Sequence, residues 1–198
     1  MQHPAVATPR ETTVLYQRLL ASCATHQPPQ NAALEQTLAQ ITAAWISGHT
    51  ALPATMGLSE HDYLTLLQRH FPTFTPPTTI PQQPLEATRL EELEELTVLL
   101  QEGRSGNHPS EIILARIIAA ASLGVQHLWQ DLGLEDRTQL TALLHHNFAP
   151  LAKRNDRNMK WKRFFYKQLC DNAGVYSCRV PSCELCSDTH LCFAGDPR

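Results

Sequence analysis

The sequence predicts an all-α protein, a helical bundle that ends in a cysteine-rich loop. Apolar residues recur every three or four positions along most of the chain, and no segment keeps a sustained period of two. Five of the six cysteines crowd into residues 170 to 192, behind the last helical pattern, while Cys23 stands apart.

The helices can be taken in order. Val14, Leu15, Arg18, Leu19 and Cys23 mark a first amphipathic pattern, and Leu34, Leu38, Ile41 and Trp45 a second that ends near Gly48. A third helix begins after Ser59, a capping residue with Asp62 three positions on, and runs through Leu64 and Leu67. Five prolines between Phe71 and Pro84 then exclude helix and predict an extended linker. Leu90, Leu93, Leu96 and Leu100 form the stripe of a fourth helix, whose Glu91, Glu92, Glu94 and Glu95 are expected to face water. Pro109 suits a first helical position, and Glu111 favours the positive end of the helix that follows. That helix, through Ala121 to Gly124, is apolar nearly all round and is the expected centre of the fold. A further helix carries Leu140, Leu143, Leu144 and Phe148. The last, from about Asn158, carries Trp161, Phe164, Phe165 and Leu169.

The chain thus divides into N-terminal helices without an assigned role (1–70), a Pro-rich linker (71–84), a helical core (85–170) and a Cys-rich loop (171–198). One internal echo stands out. Gly57-Leu58, Leu66-Leu67 and Phe71-Pro72 resemble Gly133-Leu134, Leu143-Leu144 and Phe148-Ala149-Pro150. Duplicated hairpins would produce it, and so would the common way in which helices cap and stop.

Composition narrows the function. At 198 residues, 42% hydrophobic and 18% charged, the chain is expected to fold as one core, or one core with a small module. A net charge of −3 argues against a general nucleic-acid binder. The most apolar stretch, Ile112 to Leu123, contains Arg116 and is far shorter than the roughly 20 residues that cross a bilayer. Met1 to Thr13 shows no secretory pattern, so a cytoplasmic location with reduced thiols is expected. No nucleophile elbow, P-loop or H-E-x-x-H motif is present, which favours a carrier over a turnover enzyme.

Cys178, Cys183, Cys186 and Cys192 follow the spacing C-x4-C-x2-C-x5-C. Four thiolates within fifteen residues converge only around something, and a soft metal or cluster makes that convergence favourable. Unpaired on an exposed loop they would be a redox liability. Pro181 and Ser182 supply a turn between the first two. A structural zinc site usually draws its ligands as two well-separated pairs, whereas one C-x2-C between wider gaps is closer to iron–sulfur spacing. The spacing therefore places an iron–sulfur cluster first, a single zinc second and disulfides third. Cys170 is either a further ligand or a half-buried helix-end cysteine. His190 reads as a surface or outer histidine. His127, beside Leu128 and Trp129, reads first as a satisfied core histidine and second as an additional ligand. Seven basic residues against Asp156 between Lys153 and Lys167 give a local +6, which suits an anionic cluster, an acidic partner or a solvated face.

Three features together, the stretch from His127 to Leu134, the run from Asn158 to Cys170 and the full cysteine spacing, resemble the NifQ family. The resemblance spans about His108 to Phe193, with little in residues 1–84; it departs at Ala194, which separates Phe193 from the expected glycine. It implies a protein that binds a cluster of 3Fe-4S or 4Fe-4S type on the four loop cysteines, accepts molybdenum there from molybdate or another source, and delivers it for nitrogenase iron–molybdenum cofactor biosynthesis. The implied partners are the cofactor assembly scaffold and the nitrogenase iron protein; Cys170 or His127 would supply any weak protein contact to molybdenum. Two other readings compete. One is a zinc-stapled helical interaction module whose basic segment docks an acidic protein or RNA, and the other is a ferredoxin-like electron carrier.

Overall fold

The computed structural model describes residues 7–23, 32–77, 80 and 85–173. Among these residues the structure is entirely helical, with no β-strand, as the periodicity predicts. The helices are α1 (Pro9–Ala21), α2 (Ala32–Ile46), α3 (Glu60–His70), α4 (Leu90–Glu102), α5 (Glu111–Ser122), α6 (Leu128–Asp131), α7 (Arg137–Asn147), α8 (Ala149–Ala152) and α9 (Trp161–Ala173).

Local sequence sets the starts of the longer helices. Thr8 closes a capping box on α1, accepting from the Glu11 amide while Glu11 reaches back to the Thr8 N–H. Ser59 accepts from the Asp62 amide at 3.1 Å at the head of α3, as expected, and Asp136 does the same for Gln139 on α7 at 2.8 Å. Pro109 is a correction: α5 begins two residues later at Glu111, with Ser110 in the cap position. Glu111 turns its carboxylate back to the amides of Gly106 and Asn107, fixing the preceding loop. Helix α9 starts at Trp161 rather than Asn158, whose φ of 52° is incompatible with helix. The short helices α6 and α8 were not foreseen, since four residues are too few to show a period.

Helix α5 is the centre. Leu114, Ala115, Ile117, Ile118 and Ala121 are completely buried, and α4 packs along it. One contiguous core joins residues from both sides of the Pro-rich segment, from Leu19 and Trp45 to Phe148 and Phe165. The expected stripe of α9 is real: Trp161, Phe164 and Phe165 are buried and meet edge-on or tilted, with ring centroids 5.8 to 6.0 Å apart. Polar groups also enter this core. His70, fully buried, bridges Glu35 on α2 and Ser110 before α5 through its two ring nitrogens, both at 2.7 Å. The chain Ser–His–Glu has the connectivity of a hydrolytic triad, yet Ser110 is 1% exposed and no substrate reaches it, so it serves to stitch α2, α3 and α5 together.

Candidate metal centre and its anchoring helix

Cys178, Cys183, Cys186 and Cys192, and with them His190 and Ala194, lie outside the described residues. What the structure shows is the helix that leads to them. Cys170 sits half-buried in the last turn of α9, eight residues before Cys178. His127 is not a core residue: it is exposed and forms the N-cap of α6. The Gln130 side chain reaches back to accept from the His127 N–H at 3.1 Å, a local closure that a pattern of apolar neighbours does not reveal. Among the described residues no group of three or more His, Cys, Asp or Glu side chains is arranged to hold a metal ion.

Helix α9 is fixed by three side chains spaced along it. The Trp161 indole donates to the Thr141 hydroxyl on α7 at 3.1 Å. Lys162 is 4% exposed; its ammonium donates to the Gly124 carbonyl at 2.7 Å and pairs with the Asp131 carboxylate of α6. One turn on, the Tyr166 hydroxyl donates to Glu92 of α4. Glu92 is itself gripped by the Arg89 guanidinium at 2.9 and 3.0 Å, and Arg89 donates to the Leu123 carbonyl at 2.6 Å. Two cations thus meet the carbonyls of Leu123 and Gly124 just past the C-terminus of α5, where the helix dipole favours them. Lys162, Tyr166 and Cys170 follow at i, i+4 and i+8 and share one stripe, so the cysteine continues the anchored face.

Burial shapes the chemistry of this network. It pushes the Asp131 carboxyl above its ordinary value and the Lys162 amine below, each offset by the other's charge. It also raises the Tyr166 phenol, helped by the carboxylate of Glu92, so the hydroxyl stays protonated and a donor. Burial opposes the charge on Arg89, yet Glu92 beside it holds the guanidinium above its usual value. Glu92 is therefore not one of the solvated glutamates: it is half-buried, while Glu91, Glu94 and Glu95 face water as expected. The basic run is divided in the same way. Lys153, Arg154 and Arg157 are exposed, Lys162 and Arg163 are buried, and Lys167 pairs with Asp171 at 3.5 Å. It is not one continuous positive face.

A cleft of about 540 Å³ opens beside the network, lined by Gly48, His49, Arg89, Gln126, Gln130 and Asp131 among others. Glu86 and Asp131 outnumber Arg89 among the charged side chains on its walls, so charge alone does not draw an oxyanion into it. Asp131 and Lys162 lie in the two segments that the sequence reading singled out. The structure brings these segments together, which spacing of about thirty residues in the sequence did not disclose.

The NifQ family model matches residues 37–194, a span that includes all four loop cysteines and reaches much farther toward the N-terminus than the motifs alone suggest. Protein NifQ of Azotobacter vinelandii is 45% identical over 170 residues, covering 80% of this chain and 87% of that protein. Protein NifQ of Rhodobacter capsulatus is 37% identical, with 83% and 89% covered. Protein NifQ of Klebsiella pneumoniae is 38% identical, with 74% and 90% covered. No solved structure matches the chain.

Proposed function

The chain belongs to the NifQ family, and from that premise we propose that it binds and delivers molybdenum, as a molybdenum–iron–sulfur cluster, for nitrogenase iron–molybdenum cofactor biosynthesis. The observation that carries this is the coincidence of the family match with the complete C-x4-C-x2-C-x5-C spacing. Cys178, Cys183, Cys186 and Cys192 are the donor set; thiolates suit iron, and the cluster's sulfide supplies soft ligands for molybdenum. The chain's own part is to carry those cysteines in the sequence that follows α9, a helix whose first half is locked to α4, α6 and α7. A carrier of this kind needs a rigid platform and a releasable cargo rather than a catalytic constellation. Its recipients are the cofactor assembly scaffold and the nitrogenase iron protein, it draws on molybdate or an equivalent source, and it works in the cytoplasm. No helix among the described residues is long and apolar enough to cross a membrane.

The test is anaerobic purification with visible absorption and iron, sulfide, molybdenum and zinc analysis. A brown protein with several irons, matching labile sulfide, and molybdenum that rises when molybdate is supplied is the expected result. A colourless protein with one zinc per chain overturns the proposal in favour of the zinc-stapled interaction module.

A further inference from the structure

The helical platform contains its own repeat. Shifting the sequence by 76 places brings Leu38, Ala39, Ile41, Ala43, Ala44, Gly48, Leu52, Gly57 and Leu58 onto the identical residues Leu114, Ala115, Ile117, Ala119, Ala120, Gly124, Leu128, Gly133 and Leu134. The structure treats most of these positions alike, the exception being Gly48, whose φ of +76° Gly124 does not share. Leu38 and Leu114, Leu52 and Leu128, and Met56 and Leu132 are all buried pairs. Gly57 and Gly133 both adopt left-handed backbone, with φ of +79° and +72°. The turns lead to α3 and α7, each eleven residues long and capped by a side chain, Ser59 or Asp136. Both helices end at a buried phenylalanine of nearly the same backbone conformation: Phe71 (φ −134°, ψ 55°) and Phe148 (φ −136°, ψ 41°). Each donates its N–H at 2.8 Å to the carbonyl four residues before, Leu67 or Leu144. Before the turns, α1 packs on α2 as α4 packs on α5.

Similar parts could still be independent stretches of helix. The contacts between them argue otherwise, because they are reciprocal. Gln40 of α2 donates to the Gly133 carbonyl at 3.3 Å, and its equivalent, Arg116 of α5, donates to the Gly57 carbonyl at 3.0 Å. A Cβ on Gly133 would lie 2.3 Å from the Ala44 Cβ, and a Cβ on Gly57 would lie 2.6 Å from that of Ala120, the equivalent of Ala44. When residue i meets j′ and i′ meets j, the contact is isologous, the signature of a two-fold pair. We infer that α1–α3 and α4–α7 are two copies of one helical unit, packed against each other inside one chain as the subunits of a symmetric dimer would be.

The inference gives the N-terminal helices a role, that of partner to a second copy which carries the anchor for α9. Trp161, Lys162 and Tyr166 all bond to the second copy. The copies differ where that docking occurs: Asp131, the partner of Lys162, stands where the first copy has Thr55. Thr55 instead takes a left-handed conformation, φ 52°, in a turn that α6 replaces in the second copy.

Double-mutant cycles on the full chain test the pairing. Gly57→Ala and Gly133→Ala should each lower the melting temperature by about 5–10 °C, from left-handed strain and overlap together. Ala44→Gly should recover part of the loss in G133A and none in G57A, and Ala120→Gly should do the reverse. Recovery that ignores this pairing, or no recovery in either cycle, overturns the inference. If the glycine variants fail to fold, hydrogen exchange on Gln40→Ala and Arg116→Ala decides. Gln40→Ala should speed exchange at the Leu134 amide, and Arg116→Ala at the Leu58 amide, each in the opposite copy. Faster exchange confined to the copy that carries the substitution would equally refute a reciprocal interface.

Discussion

Lys162 and Asp131 form a buried ion pair that joins α9 to α6 across 31 positions of sequence. Neither side chain retains more than 4% of its exposure, and burial disfavours the charge on both. Such a pair costs desolvation that its mutual attraction only roughly offsets. Removing one partner is another matter. Lys162→Met leaves Asp131 uncompensated in the core and should destabilise the fold by about 3–5 kcal/mol in urea titration. Adding Asp131→Ala should return a substantial part of that loss. A double variant as unstable as the sum of the singles would show that the two charges do not compensate each other.

His108 predicts an acid-sensitive step. Burial lowers the imidazole's pKa below its ordinary 6.5; the charges of His70 and Arg69 add to this, and Glu35 and Glu111 oppose it. The neutral ring is also needed, since its Nδ1 accepts from the Ser110 amide at 3.1 Å. A histidine depressed in the folded state contributes stability that is present above its unfolded pKa and lost as pH falls through the folded one. Stability should therefore decline below about pH 6.5. In His108→Gln, which retains an acceptor, that part of the decline should vanish. An unchanged pH profile in the variant would assign the acid sensitivity to other groups.

Much of the architecture was legible because it is written in local periodicity. The α5 core, the Ser59 cap and the Trp161, Phe164, Phe165 stripe follow from spacing and side-chain chemistry alone. The parts that were missed are tertiary. Glu92 lies in a run of glutamates and looks solvated, but Arg89 and Tyr166 reach it from neighbouring elements. His127 has apolar neighbours in sequence yet caps a one-turn helix that no period announces. The repeat was visible as an echo of turns and helix ends, and only the crossed contacts of Gln40 and Arg116 separate duplication from coincidence.

Phe165 tests how far α9 depends on the core. The ring is completely buried and touches Trp161 and Phe164 with centroids 6.0 and 5.9 Å away. Phe165→Ala should cost about 3–5 kcal/mol, from lost transfer energy and the cavity left behind. Phe165→Leu, closer in volume, should cost distinctly less. Equal losses for both would mean that the site tolerates a void, contrary to the packing around it.

The cysteines should separate by chemistry as well as by place. Burial raises the Cys23 thiol to about 11, and Glu35 adds to the shift, so at neutral pH it is a protonated, half-buried group with little nucleophilic or ligating character. Cys178, Cys183, Cys186 and Cys192 are the proposed donors and must act as thiolates. Replacing any of these four with Ala should remove most of the bound iron, whereas Cys23→Ala should leave iron and molybdenum content unchanged. Alkylation of the metal-free protein near pH 8 should label the C-terminal cysteines well ahead of Cys23, and the gap should narrow as pH approaches 11. Iron loss in Cys23→Ala without loss of fold would make that thiol part of the metal site. Retention of iron in all four loop variants would remove the loop from it.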